Sequence, residues 1–483
     1  MISLSRTPTR LIDPAQRPAV AIEKARRPSR FRGAVVLLLL TRLGARLAWL
    51  RMRKELTAAK TGVELRMLFE RLGGLWIKTG QLLSLRIDIF PVALCDELAK
   101  LQHSSVGFPV QVARDIIERE LGAPIDTYFE EFGATPFAVA SIGQVFRARL
   151  RDEGVWVAVK VMRPYIDELF RRDFAVVAVL VRLLRLLGIF PHMRWDLGLQ
   201  ELRDVMEEEI DYHYEASNIR RMRQSLKAHK IFVPKPFGRY CTNRVLVTEF
   251  IHGVLMADYI KVAHSDPAKL AAWLEENNIR PRRVARRLMH SIFRQMLEDN
   301  LYHGDLHPGN IVLMRDNGIA LIDFGTASFT EREYLERFKL FVRALSAGDY
   351  SKAADLCFML MPPLPNIEFD EVKEKLVQVL RAWTRRTLVR ELPYHVKSLE
   401  NVTVSVVRVL HRYRCPTEWA WLRFHRAFTT LDMSLVYLYP DVNYSRMLQK
   451  YFLRAELRSL QQMLGARMTM RSIGAYRTTL DIQ

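Results

Sequence analysis

The period of the hydrophobic pattern changes along the chain. From Ala34 to about residue 130, apolar residues recur at helical spacing among good helix formers, interrupted at Pro91 and at Val106-Gly107-Phe108-Pro109. Residues 136–162 read differently. Phe137 to Leu150 and Val155 to Val161 are rich in Val, Ile, Phe and Ala and flank Arg151-Asp152-Glu153-Gly154, which predicts two strands joined by a tight turn. Residues 165–228 return to a helical pattern, and Ile231 to Phe250 to strand character, with Val245 to Phe250 the clearest buried run. A helical pattern covers about 266–300. Two short strands follow, Ile311 to Met314 and Ile319 to Ile322, with Asp316-Asn317-Gly318 as the hairpin turn. Residues 331–483 are mostly helical, and neither an internal repeat nor a low-complexity tract is present. The expected class is α+β: helices, then a mixed strand layer, then helices.

Composition narrows the partners. The 483 residues allow two to four units, and 49% hydrophobic with 26% charged residues exclude wholesale disorder. Lys plus Arg number 73 against 53 acids, a formal charge of +20, which favours nucleotide, nucleic acid or an anionic membrane face. No recognisable nucleic-acid reader motif accompanies the charge, so nucleic acid is not expected as a partner. Cys95, Cys241, Cys357 and Cys415 are far apart and none forms a C-x-x-C pair, which argues against disulfides or a cysteine zinc site and suits a reducing compartment. Residues 1–33 are expected to form a basic, disordered tail, with a mitochondrial transit peptide as the alternative.

Two apolar stretches carry arginines. Ala34 to Leu50 contains Arg42 and Arg46, and Phe174 to Phe190 contains Arg182 and Arg185. Neither offers about 18–20 uncharged residues, so both are expected to be amphipathic rather than spanning helices. Leu37, Leu40, Leu43, Leu47 and Leu50 share a face, and Arg42, Arg46, Arg51 and Arg53 supply charge suited to a lipid interface. The alternative for both is a helix packed on its own domain.

The strongest chemical signal is His303-Gly304-Asp305-Leu306-His307-Pro308-Gly309-Asn310, followed by Asp323-Phe324-Gly325. Two acids and an amide surround one short hairpin. Magnesium takes hard oxygen ligands, usually one or two carboxylates plus substrate phosphates. Asp323 would bridge metal to phosphate, Asn310 would hold a second metal, and Asp305 would orient or deprotonate the nucleophile. The string resembles the kinase pattern H-R-D-x-x-x-x-N then D-F-G, with His307 where protein kinases often carry Lys. Small-molecule phosphotransferases use similar strings, so the pattern indicates a kinase-like fold and not a protein substrate. Upstream, Val157-Ala158-Val159-Lys160-Val161 is a strand carrying a lysine placed to contact nucleotide phosphates, 145 residues ahead of Asp305. Glu215 is the expected carboxylate partner of Lys160, and Glu249 to Ile251 resembles the hinge that reads the adenine edge. The glycine-rich loop is replaced by Ala138-Val139-Ala140-Ser141-Ile142-Gly143, with one glycine where three are usual, and no A-P-E segment follows Asp323. That absence argues against an ordinary protein kinase.

Lys78-Thr79-Gly80-Gln81 completes an ordered set: K-x-G-Q, a small-residue loop, E-x-D, H-G-D-x-H-P-G-N and D-F-G. Over roughly residues 65–330 the chain resembles the UbiB/AarF (coenzyme Q8-type) atypical kinase-like proteins. The resemblance implies a bilobal protein-kinase-like fold: a K-x-G-Q extension over 34–130 that caps the active site, an N-lobe with a helical insertion over 131–262, a C-lobe over 263–362 and a helical C-terminal extension over 363–483. It implies that Lys78 and Gln81 lie on the extension over the site and that Glu209 and Asp211 engage it, although Glu207-Glu208-Glu209 also reads as a solvated helix face. It implies ATP or ADP with Mg²⁺, bound partly by the loop around Ala138, Val139, Ala140 and Ser141, and a tie to ubiquinone biosynthesis. The expected activity is an ATPase or small-molecule kinase acting with quinone-precursor or lipid-pathway components. A nucleotide-gated scaffold is the alternative, and a protein kinase acting in trans ranks third. Val139 within the loop and His103 after Leu101-Gln102 depart from the family pattern, and the C-terminal region lacks the paired hydrophobic spans of bacterial members. Peripheral membrane contact at a cytoplasmic inner face, or a mitochondrial site, follows as the expected location, and a homodimer is conceivable.

Overall fold

The computed structural model describes residues 7–12, 21–23, 27–87, 89–101, 106–140, 142–188, 195–361, 364–415 and 417–461. Four helices open it: α1 (Arg32–Met52), α2 (Ala58–Leu72), α3 (Leu75–Ser84) and α4 (Val92–Ala99), followed by α5 (Val110–Leu121) and α6 (Ile125–Tyr128). The first sheet comprises β1 (Phe129–Phe132), β2 (Ala138–Val139), β3 (Gly143–Leu150), β4 (Trp156–Met162) and β5 (Val245–Glu249). Its order is β1-β3-β4-β5, with β2 paired to the start of β3, and every pairing is antiparallel. Between β4 and β5 the chain inserts α7 (Ile166–Leu186), α8 (Trp195–Glu209) and α9 (Tyr212–Leu226).

Alternation on β4 sets the lobe's two faces. Val157, Val159 and Val161 are fully buried and join Phe146, Val245 and Val247 in a core closed by Ile116 and Ile117 of α5. Successive strand residues point to opposite faces, so Lys160 must project from the other side, away from that core.

The second lobe holds β6 (Val254–Leu255), α10 (Met256–Ser265), α11 (Pro267–Glu276), α12 (Pro281–Arg294), β7 (Tyr302–His303), β8 (Ile311–Met314), β9 (Gly318–Leu321) and β10 (Ala327–Ser328). Strands β6, β8 and β9 form one small sheet, and β7 pairs with β10. Asp316 and Asn317 take the positive φ values (+57° and +60°) that a two-residue hairpin turn requires between β8 and β9. Helices α13 (Arg332–Ala347), α14 (Tyr350–Met359), α15 (Phe369–Leu388), α16 (Tyr394–Lys397), α17 (Leu399–Arg412) and α18 (Trp419–Leu438) follow, and residues 444–461 are helical as well. Phe338, Phe341, Trp421 and Phe424 pack ring on ring where α18 meets α13. The four cysteines are buried, and none is in a disulfide.

Two expectations change. By length and composition α1 is long and apolar enough to cross a membrane, the one such helix among the described residues, although Arg42 and Arg46 lie within it. Arg46 finds a carboxylate in Glu64 (3.1 Å) and a ring in Trp49. The basic tail is also not wholly free: the Thr9 N–H donates to Asn277 Oδ1 (2.9 Å), the Trp273 indole donates to Thr9 O (2.8 Å), Leu11 is buried, and Ile22 bridges Gly107.

Candidate active site

Lys160 meets its partners on the cleft face of the sheet. Its Nζ lies 2.8 Å from Glu215 Oε2, which α9 projects from its first turn, and 3.7 Å from Asp323 Oδ2. The Tyr212 ring lies 5.2 Å from the same ammonium. Burial pulls the Lys160 pKa down, but the Asp323 and Glu215 carboxylates more than offset it, and the ammonium is held well above its ordinary range. Lys160 in turn holds the Asp323 carboxyl below its usual value. Burial, only partly relieved by Lys160 and aggravated by Asp323, pushes Glu215 up to about 7. One cation is shared by two carboxylates, and the more deeply buried one yields.

The H-G-D and D-F-G segments are tied together by a single imidazole. His303 is fully buried, its Nδ1 accepts the Asp305 N–H (3.2 Å), and its Nε2 meets Ile322 O (3.2 Å). These partners assign the proton to Nε2. Burial lowers the His303 pKa, which suits that neutral form. Asp323 takes φ +60°, a left-handed conformation that costs energy for a residue with a Cβ. The conformation is held on both sides: Asp323 Oδ1 accepts the Gly325 N–H (3.3 Å), and the Asn218 amide donates to Phe324 O (3.1 Å) above the buried Phe324 ring. Asn310 Nδ2 donates to Asp305 O (3.0 Å), which ties the asparagine to the H-G-D segment.

The donor set fits magnesium. Asp323 and Asn310 offer hard oxygens, and among the described residues no group of three or more His, Cys, Asp or Glu side chains forms an all-protein cage. Magnesium needs no such cage, because phosphate and water oxygens fill its remaining positions.

The K-x-G-Q residues sit on α3. Lys78 ion-pairs with Glu209 at the end of α8, both side chains 13% exposed, and Gln81 donates to Leu101 O (3.4 Å). The glycine between them has a packing reason. A Cβ at Gly80 would lie 2.2 Å from Leu101 Cδ1 and 2.6 Å from Phe69 Cδ2, so only glycine lets α3 seat this deeply. Asp211 corrects the expectation drawn from the resemblance, because it does not reach the extension. It caps α9 instead, accepting the His213 N–H at 2.9 Å, the usual work of an aspartate at a helix start. Helix α3 walls a cleft of about 890 Å³, whose other walls include Glu209 from α8, Gly304 and Gly325 from the two motifs, and Arg426 from α18.

The small-residue loop that follows β2 is closed by backbone pairing. Ala138 pairs with Val145 and Val139 with Gln144, and the Ala140 N–H closes the turn on Gly143 O (2.8 Å). A Cβ at Gly143 would strike Val161 O at 2.5 Å, which explains the single glycine retained there. Ser141 and His103 lie outside the described residues. Glu249 ends β5, its N–H donating to Lys235 O (2.8 Å), and Ile251 packs against the small β8–β9 core.

Several site residues escaped sequence reasoning. Gln144, fully buried, grips both the N–H and the O of Phe108 (3.0 and 2.9 Å) and anchors the loop's exit. Arg426 Nη2 lies 3.0 Å from Asp305 Oδ2, and Thr430 Oγ1 accepts the Leu306 N–H (3.0 Å). Both residues lie on α18, more than 120 residues beyond Asp305, and no local pattern flags them.

A strand lysine paired to a helix glutamate, above a hairpin that presents H-G-D and D-F-G, defines a protein of the kinase-like class, here with a helix seated over the cleft. Comparison with known proteins agrees. The family described as the ABC1 atypical kinase-like domain matches residues 100–357, more than half of the chain. The chain belongs to this ABC1 atypical kinase-like family. It is 29% identical over 407 residues to a probable protein kinase UbiB of Aeromonas hydrophila, covering 82% of this chain and 70% of that one. It is 32% identical over 320 residues to a probable protein kinase UbiB of Cronobacter sakazakii, covering 64% of this chain and 56% of that one. A solved structure, the complex of Rv3197 with erythromycin from Mycobacterium tuberculosis, matches with TM-score 0.45 at 23% identity, over 77% of this chain and 93% of that chain.

Proposed function

We propose that this chain is an Mg²⁺-dependent ATPase or small-molecule kinase that serves isoprenoid-quinone or membrane-lipid metabolism. The observation that carries the reading is the convergence of Lys160, Glu215 and Asp323 on one point, with Asp305 and Asn310 one hairpin away. Lys160 would hold nucleotide phosphates, Asp323 and Asn310 would hold magnesium, and the ion would neutralise charge developing on the phosphates. Asp305 would take the proton of the attacking water or hydroxyl as the bond to the leaving ADP oxygen breaks. Ala138, Val139, Ala140 and Ser141 would flank the phosphates, and Glu249 to Ile251 would meet the base. The seated α3 supports a small acceptor over a protein one, since Lys78, Gln81, Leu82 and Leu85 occupy the cleft wall that a peptide would need. The quinone pathway is what the resemblance to the UbiB-type family implies. The test is ATP hydrolysis by the purified chain, with and without quinone-precursor phenols. Turnover is expected, and Asp323→Asn is expected to abolish it; undiminished turnover in that variant would sink the reading.

A second reading is a nucleotide-gated scaffold, favoured by the Lys78–Glu209 latch, which ties α3 to a helix leading into α9 and Glu215. Function in vivo that survives Asp305→Asn but not Asp323→Asn would favour it.

Membrane contact is proposed on a separate surface. The start of α1 meets the middle of α7: Arg32 pairs with Asp173 (2.9 Å), and Gly33 abuts Val176. Phe31, Leu37, Leu38 and Met52 at α1, and Leu183, Leu186 and Leu187 at α7, are exposed, with arginines on both helices. Such a surface suits an anionic bilayer. Cosedimentation with anionic liposomes is expected to be salt-sensitive; binding indifferent to salt, or none, would count against it.

A further inference from the structure

We propose that Arg426 is a positioning residue for Asp305 and supplies a positive charge that the catalytic loop itself lacks. The inference rests on the reading of Asp305 as the proton acceptor. Protein kinases often place a lysine two residues after that aspartate; here the position is His307. His307 cannot serve as the cation. Its Nδ1 accepts the Gly309 N–H (3.2 Å), which an imidazolium, a donor at both ring nitrogens, could not do. A negative carboxylate beside a developing phosphoryl transition state would then stand without a local cation.

Arg426 fills that vacancy from another part of the chain. Its guanidinium donates to Asp305 Oδ2 at 3.0 Å, with both side chains 25% exposed, so the contact is sheltered yet open to the cleft. The approach is fixed at the backbone, because Thr430, one turn further along α18, accepts the Leu306 N–H. The neighbouring Arg423 is not available for this role. It is spent in a two-pronged pair with Glu201 of α8 at 3.0 and 2.5 Å. Arg426 also lines the cleft beside Gly304 and Gly325. A planar guanidinium can hold one carboxylate oxygen and still present N–H groups to a second anion. Helix α18 lies outside residues 100–357, so the matched domain is incomplete as an active site until the C-terminal helices dock on it.

The test is steady-state ATP hydrolysis by the full chain. Arg426→Ala is expected to lower kcat by about 10²-fold with KM for ATP little changed, the scale of a lost positioning contact. Guanidinium ion, added well below unfolding concentrations, is expected to restore part of that loss, a response that a merely structural role would not give. Arg426→Lys keeps the charge without the fork and is expected to fall between the two, which preserves the test if the alanine variant fails to fold. Asp305→Asn combined with Arg426→Ala is expected to be no slower than Asp305→Asn alone, because the arginine acts through the aspartate. Unchanged or raised turnover in Arg426→Ala, full activity in a folded Arg426→Lys, or additive losses in the double variant would overturn the proposal. No turnover in the unsubstituted chain would sink the ATPase reading and this inference together, whereas turnover indifferent to Arg426 sinks this inference alone.

Discussion

The molecule uses a lysine–glutamate pair twice, and the two sites invite comparison. Lys160–Glu215 joins β4 to α9, and Lys78–Glu209 joins α3 to α8. Burial does not distinguish them: side-chain exposures are 14% and 7% in the first pair and 13% and 13% in the second. The neighbourhood does. Lys160 has a second carboxylate, Asp323, at 3.7 Å; burial first, and the Asp323 charge in addition, raise Glu215, while Lys160 keeps Asp323 ionised. Lys78 ion-pairs with Glu209 and joins two helices, and Asp323 only feels its charge from further off. The same pair is therefore a charge-sharing site in one place and a latch in the other, and the difference lies in the third group. The two are mechanically adjacent, since Glu209 ends α8, Asp211 caps α9, and Glu215 follows one turn later.

Breaking the charge-sharing site has the largest expected effect. Lys160→Met leaves two carboxylates facing each other and removes the phosphate contact; kcat/KM for ATP is expected to fall by about 10²–10³-fold, the scale of one lost electrostatic donor. Retention of near-normal kcat/KM would show that Lys160 does not face the nucleotide.

The latch is expected to fail more through packing than through charge. Gly80→Ala places a Cβ 2.2 Å from Leu101 Cδ1, and such overpacking costs about 1–3 kcal/mol. Thermal unfolding should show the loss, with proteolysis near α3 rising in parallel. Lys78→Met leaves Glu209 unpaired but not wholly desolvated, so about 1–2 kcal/mol is expected, below the cost of breaking a fully buried pair. The exchange Lys78→Glu with Glu209→Lys should recover most of it. A double variant as unstable as either single one would mean that the ion pair is not what holds α3 down.

How far the sequence reaches follows the range of each interaction. The strand Val157 to Val161 with its lysine, and the turn Asp316-Asn317-Gly318 with Asn310 and Asp323 around one hairpin, were legible because both follow local rules. The pairing of Lys160 with Glu215 was legible from the order of strand and helix. Gly80 appeared as a motif letter, while its cause, Leu101 and Phe69 on other segments, needed coordinates. Asp211 was drawn to the lid by the motif around it, although an aspartate heading a helix had a sufficient local use. Counting Arg42 and Arg46 as charges hid how apolar α1 is overall. Thr9 against Asn277, and Arg426 against Asp305, span 268 and 121 residues, and no periodicity carries across such gaps.

The smallest expected effect probes the charge-sharing site by pH. Glu215 has its pKa raised to about 7 from an ordinary 4.5, because burial disfavours its charge and Asp323 competes for Lys160. Between those values the folded chain binds more protons at this site than the unfolded chain does. The site's contribution to stability is therefore complete below about pH 4.5 and is lost as pH rises toward 7. Integrated from pH 5.5 to 6.5, the change amounts to about 1 kcal/mol. Glu215→Gln carries no proton to lose, so its stability relative to the unsubstituted chain should improve by that amount across the same window. Denaturant midpoints at the two pH values measure the change. A Glu215→Gln difference that does not move between the two pH values would mean that Glu215 is not raised, and the charge-sharing reading of the Lys160 site would fall.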